Sequence, residues 1–212
     1  MSIKKNIESI KKKITEAELI VVTKKQSLNN IKKVYNSGER NFGENRVNEL
    51  IIKKTSLPKD IKWHMIGHLQ TKKVKLISTF IHLIHSVDRL KLLNEINKCG
   101  TQDNRVINCL IQVKIAEENT KYGFSQKESI GLLNSNYKEK YPYVNIKGVM
   151  GMATLTNNTH KIETEFQTLK SIYDHLKCKN KILSMGMSND YKIACKIGSN
   201  MIRIGSSIFK EN

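Results

Sequence analysis

The sequence predicts a single α/β domain of the (β/α)8 barrel class, of TIM type, with one extra helix at the N-terminus. Three observations predict it. Eight short apolar runs can be picked out along the 212 residues, and longer amphipathic stretches separate them, the alternation expected of βα units around a parallel sheet. The turn after the first run, Thr23-Lys24-Lys25-Gln26-Ser27, carries no glycine, whereas a doubly wound sheet often places a glycine-rich turn there and normally has fewer strands.

In chain order, an opening helix is expected at about 3–17, followed by the run Leu19-Ile20-Val21-Val22 as the core of a strand at 19–23. Further strands are expected at 41–43, 63–66, 83–86, 108–115, 146–150, 181–185 and 201–204. Helices are expected at 28–37, 46–54, 71–77, 89–98, 127–135, 159–176 and 190–197. The two prolines, Pro58 and Pro142, each fall in a loop before a strand. No low-complexity linker or fixed-period repeat divides the chain, so residues 1–212 are expected to form one domain.

Bulk properties narrow the function classes. A mean hydropathy of −0.44 and the lack of an apolar run long enough to span a bilayer point away from a membrane protein. The N-terminus runs into Lys11-Lys12-Lys13 without an apolar segment, so no secretory signal is expected. Cys99, Cys109, Cys178 and Cys195 are widely spread with no CxxC pair, as for reduced thiols in a cytoplasmic protein rather than a disulfide framework or zinc site. The formal charge of +18 is concentrated early, with 18 basic against 7 acidic residues up to residue 75. That excess admits a nucleic-acid-binding module. Few aromatics interleave the lysines, however, and abundant Asn and Ile suggest a compositional bias toward A/T-rich codons, so no specific nucleic-acid partner is expected.

Two segments near the C-terminus favour a phosphate. Ile182-Leu183-Ser184-Met185-Gly186-Met187-Ser188 and Met201-Ile202-Arg203-Ile204-Gly205-Ser206-Ser207 each end an apolar run in a small-residue turn. Such turns expose backbone N–H groups and hydroxyls, and a following helix adds its positive pole. In a (β/α)8 barrel the loops after strands 7 and 8 are the usual phosphate site.

Lys24 follows the first strand, at the end of the barrel that carries function. An amine partly desolvated there can act as a nucleophile toward a carbonyl, although position alone favours reading it as the start of a solvated loop. Asn45 ends the second strand and would serve either as the N-cap of the next helix, with Glu49 in capping-box range, or as a ligand contact. His64 and His68, four residues apart, would share one side of a strand, but no third ligand lies nearby and no metal site is expected. Arg203 stands between Ile202 and Ile204 on the last strand. If the isoleucines face outward, Arg203 points into the barrel, where a guanidinium needs an acceptor.

These blocks together resemble the pyridoxal-phosphate homeostasis proteins, single-domain relatives of the alanine racemase N-terminal barrel. The resemblance rests on Val21-Val22-Thr23-Lys24, Asn41-Phe42-Gly43-Glu44-Asn45, Trp63-His64-Met65-Ile66-Gly67-His68-Leu69-Gln70 and Gly148-Val149-Met150-Gly151-Met152. It rests most on the two C-terminal segments above, extended to Phe209. The blocks span nearly the whole chain in the family's order. The sequence departs from the pattern in a shorter lead-in to the first strand, a missing proline after the lysine, and a brief tail, Lys210-Glu211-Asn212.

The resemblance implies pyridoxal 5′-phosphate as cofactor, held as a Schiff base on Lys24. It implies Asn45 beside the ring, Ser188, Gly205 and Ser206 on the phosphate, and Arg203 facing the pyridine nitrogen. An arginine there keeps that nitrogen unprotonated and weakens the electron sink that pyridoxal enzymes use. Racemases of this arrangement add a tyrosine from another domain, and none is expected here. The implied role is therefore cofactor holding and vitamin B6 balance in the cytoplasm by a monomer without strong catalysis, with PLP-dependent apoenzymes as acceptors. A weak PLP-dependent amino-acid racemase is the alternative, and a basic nucleic-acid-binding module the third reading.

Overall fold

Alternating burial along each strand sorts the core into two apolar clusters. In the computed structural model, which describes residues 2–14, 16–118 and 121–210, Ile20, Leu83, Leu110, Met150 and Met201 form a small inner cluster. Their strand neighbours Leu19, Val21, Ile84, Cys109, Val149 and Ile202 join a much larger cluster with the helices outside. Residues one apart on a strand face opposite sides, so the sheet is covered on both faces, which is why its strands read as continuous apolar runs.

The strands are β1 (Glu18–Val22), β2 (Asn41–Glu44), β3 (Lys62–Met65), β4 (Leu83–Val87), β5 (Ile107–Gln112), β6 (Val144–Met150), β7 (Ile182–Ser184) and β8 (Met201–Ile204). Each pairs in parallel with the next, and β8 closes on β1 through Glu18 opposite Met201 and Val21 opposite Ile204. Closure leaves no edge strand, which settles the choice against an open doubly wound sheet.

The helices are α1 (Ile3–Lys11), α2 (Leu28–Asn36), α3 (Val47–Ser56), α4 (Leu90–Gln102), α5 (Gln126–Asn134), α6 (Tyr137–Lys140), α7 (Thr159–Asp174), α8 (Tyr191–Lys196) and α9 (Ser206–Phe209). α1 buries Ile7 and Ile10, is capped by Ser2, and reaches α9 through Asn6 Nδ2, which donates to the carbonyl of Ile208 at 2.9 Å. The first and last helices are thereby stapled together.

Several boundaries differ from the sequence expectation. The opening helix ends at Lys11 and not near 17. Its chain then tightens through Lys13 N–H to Ile10 O and Ile14 N–H to Lys11 O, bonds of the three-residue kind; Thr15 of that expected helix lies outside the described residues, as do Glu211 and Asn212 of the tail. The expected helix at 71–77 is a 3₁₀ turn (Thr71–Leu76), consistent with its buried Val74 and Ile77 three apart. The fifth strand stops at Gln112 rather than 115, because the following loop folds back and Phe124 N–H takes the Gln112 carbonyl at 2.9 Å. The short helices α6 and α9 carry too little periodicity to be read from sequence.

Candidate functional site

Lys24 occupies a tight turn just beyond β1, in which Gln26 N–H reaches back to the Thr23 carbonyl at 3.0 Å. Lys25 adopts φ 60°, the left-handed region, although it is not glycine. The strain is held from three sides. Thr23 Oγ1 bonds the Glu44 carboxylate, Lys53 Nζ donates to the Thr23 carbonyl at 2.8 Å and to Glu44 Oε1 at 2.6 Å, and Lys25 N–H donates to Glu49 Oε2 at 3.1 Å. Burial raises the Glu44 carboxyl above its usual range, against the lowering effect of Lys53 and Thr23. Lys24 itself is exposed, so the desolvation expected of it is not supplied by the barrel core; the turn carries the amine clear of the strand end.

The seventh and eighth strands deliver the other half. After β7, Gly186 at φ 97° turns the chain, and Met187 N–H donates to Asp190 Oδ1 at 2.6 Å, closing a compact loop with Ser188 at its rim. Asp190 is largely buried, and desolvation raises its carboxyl. After β8, Gly205 opens α9. A Cβ at Gly205 would lie 3.0 Å from the Val22 carbonyl oxygen, so the bare backbone lets β8 turn tightly against β1. The first amides of α9, those of Ser206 and Ser207, lack intrahelical acceptors by helix geometry; Ser207 N–H lies 3.5 Å from Ser188 Oγ, bringing the two loops together.

Arg203 points into the barrel between outward-packed Ile202 and Ile204. Nη1 donates to the Ser184 carbonyl at 2.9 Å and to Ser184 Oγ at 2.6 Å, and Nη2 to the Gly151 carbonyl at 3.1 Å. Three of its five N–H groups are thus satisfied, and the remaining two have no protein acceptor among the described residues. Burial lowers its pKa to about 10, partly countered by Asp190, so it remains a cation at neutral pH.

These residues line one cavity of about 430 Å³ at the C-terminal mouth of the barrel. Lys24, Ser188, Arg203, Gly205 and Ser206 meet there, joined by Val22, Lys121, Met152, Leu155 and Asp190. Asn45 is not among its lining residues. It is half-buried at the end of β2, and it is not the helix cap either: Arg46 holds the N-cap position of α3, without a side-chain cap bond, and Glu49 is drawn to Lys25 and Lys53 instead of closing a capping box. The two histidines of the third block also part company. β3 ends at Met65, so only His64 lies on the strand; His68, in the loop beyond, pairs with Asp88 Oδ2 at 2.9 Å and stacks on Tyr122 with ring centroids 3.9 Å apart.

The sequence model of the alanine racemase N-terminal domain family matches residues 1–212. The pyridoxal phosphate homeostasis protein of Helicobacter pylori strain J99 is 39% identical over 196 residues, covering 92% of this chain and 87% of the relative. The chain belongs to this family, on its pyridoxal phosphate homeostasis branch. The human pyridoxal phosphate homeostasis protein is 31% identical over 213 residues, covering 92% of this chain and 77% of its own length. Among solved structures, PipY of Synechococcus elongatus PCC7942 without PLP superposes with a TM-score of 0.89 at 29% identity, covering 99% of this chain and 100% of that one. The same protein with PLP bound gives 0.86 at 27%, with the same coverage.

Within this family frame, the sequence reading missed the clamp beneath Lys24. Glu44 and Lys53 are nine residues apart on different elements, and only a buried acidic residue at the end of β2 hints at them. Asp190 was readable only as part of a helix start, and Lys121 not at all, since the loop that carries it has no periodic pattern.

Proposed function

We propose that the chain binds pyridoxal 5′-phosphate and takes part in intracellular balance of this cofactor, holding it rather than using it for strong catalysis. One observation carries the reading. A single cavity of suitable size gathers an amine from the β1 end, the hydroxyls and backbone amides of the two last loops, and a guanidinium with unused N–H groups. The relatives named for pyridoxal phosphate homeostasis and the PLP-bound PipY structure support it.

In this proposal Lys24 takes the cofactor aldehyde as a Schiff base, with loss of one water. Ser188, Gly205 and Ser206 hold the phosphate through hydroxyls and backbone amides. Arg203 donates to the pyridine nitrogen with an N–H that the protein leaves free. Asn45 would lie beside the ring.

When bound, the cofactor supplies an electrophilic aldehyde and, if its nitrogen is protonated, an electron sink. Arg203 can only donate, so it holds the nitrogen unprotonated and keeps the sink weak. On this reading residues 1–212 are one cofactor-binding domain that works as a monomer in the cytoplasm and passes the cofactor to PLP-dependent apoenzymes. No helix among the described residues is long and apolar enough to cross a membrane.

The test is the absorbance of PLP-loaded protein, with borohydride trapping and peptide mass analysis. Wild type should show a Schiff-base band and a reduced adduct on Lys24, and both should vanish in Lys24→Ala. A loaded wild type without that band overturns the proposal, and steady turnover of alanine or another amino acid would transfer it to the racemase reading.

A further inference from the structure

Below the cavity, a row of polar side chains that do not line the proposed pocket crosses the barrel interior and ends on Arg203. Glu18 Oε1 lies 2.7 Å from Asn41 Nδ2, Asn41 Oδ1 lies 3.2 Å from His64 Nε2, and His64 Nδ1 lies 2.9 Å from His85 Nε2. His85 Nδ1 then lies 3.1 Å from Ser184 Oγ, which is 2.6 Å from Arg203 Nη1. Both rings are 0–1% exposed. Glu18 and Asn41 begin β1 and β2 at the floor of the barrel, while Ser184 ends β7 at the mouth, so the row runs from one end to the other.

Elementary donor and acceptor counting fixes the direction of every bond. The Glu18 carboxylate only accepts, so the Asn41 amide nitrogen faces it and Asn41 Oδ1 faces His64. That oxygen only accepts, so His64 carries its hydrogen on Nε2. A neutral imidazole has one N–H, hence His64 Nδ1 accepts from His85 Nε2. By the same count His85 Nδ1 accepts from the Ser184 hydroxyl, which leaves the Ser184 oxygen to accept from Arg203. All five bonds donate the same way, from the cation at the mouth to the carboxylate at the floor. The count holds for neutral rings, and their burial, which disfavours a charged imidazole, supplies that neutrality. Burial depresses both histidines, and the charged or titratable neighbours facing them add to this: His82 and Lys62 on His64, and His64, Arg203 and His82 on His85.

We infer that His64, His85 and Ser184 are positioning residues, and that their one-way hydrogen-bond row holds the Arg203 guanidinium in a single orientation with its free N–H groups turned to the cavity. What Arg203 meets there, the pyridine nitrogen, rests on the proposed function. The row itself does not, because every bond in it is internal to the protein. A directional chain is also cooperative, each donor polarising the next.

Two measurements test the inference and separate it from the proposed function. Long-range 1H–15N spectra of the ligand-free chain read the tautomers directly. His64 and His85 should both be Nε2–H and should not titrate between about pH 5.5 and 8. An Nδ1–H ring, or titration of either in that range, overturns the inference whether or not the protein binds PLP. In PLP-loaded protein, Ser184→Ala and His85→Phe should weaken cofactor affinity about tenfold, the scale of one hydrogen bond to a charged group. They should also make the cofactor absorbance pH-dependent between about pH 6 and 8, because a loosened Arg203 lets the ring nitrogen protonate. Ser184→Thr keeps the hydroxyl and should restore the wild-type profile. Variants that melt earlier but keep the wild-type absorbance profile would show a structural role only and overturn the positioning role.

Discussion

Lys53 Nζ lies 2.6 Å from Glu44 Oε1 and 2.8 Å from the Thr23 carbonyl, so one buried ammonium ties α3, β2 and the turn of Lys24 together. Both side chains are nearly inaccessible, at 8% and 0%, and Glu44 Oε2 has no hydrogen-bond partner among the described residues. Lys53→Met should cost about 3–5 kcal/mol, because it leaves the carboxylate buried without its counter-charge. Chemical denaturation measures this, and the double variant with Glu44→Gln should recover part of the loss; an unchanged midpoint in Lys53→Met would refute the clamp.

The Gly186 turn makes a second prediction. With φ at 97° and a would-be Cβ only 2.7 Å from Ala194 Cβ, Gly186→Ala meets both backbone strain and a collision with α8. The expected cost is on the order of 1–3 kcal/mol. The same change should weaken PLP binding measured by titration, since this turn aims Ser188 at the cavity.

Asp190 should matter through its acceptor oxygen. It takes Met187 N–H at 2.6 Å, and Asn can keep that bond where Ala cannot. Asp190→Ala should lower PLP affinity about fivefold and Asp190→Asn much less, on the scale of one buried hydrogen bond. Equal losses in the two variants would place the effect in the charge instead.

Acid should destabilise the chain through its buried histidines. His64 is held at about 3 by burial, below the unfolded value near 6.5. Between these values the unfolded chain binds more protons, so stability rises with pH and is lost on acidification through that window. His64 alone should contribute about 2 kcal/mol of loss between pH 7 and pH 5, and His85 acts in the same direction. The raised Glu44 carboxyl works oppositely, its contribution falling as pH rises above the normal carboxylate range. Denaturation midpoints at the two pH values, in wild type and His64→Phe, should show a flatter slope in the variant.

The sequence by itself determined the eight parallel strands and the inward face of Arg203. It also placed the candidate residues Lys24, Asn45, Ser188, Gly205 and Ser206 just beyond the ends of β1, β2, β7 and β8. Those features are local: apolar runs, turn residues and a period of two along a strand are written in neighbouring positions. What lay across the barrel was not readable. His64 and His68 look paired in sequence, yet β3 ends between them, so one enters the barrel interior and the other reaches Asp88. Lys24 and Arg203 are 179 positions apart, and only the closure of β8 onto β1, with Ile20 opposite Arg203, brings them to one cavity. The histidine row depends on which inward residues fall at the same height, and the clamp of Glu44 on Lys53 on which outward residue of β2 meets α3. That height follows from strand register and barrel closure, which are properties of the closed sheet and of no single segment.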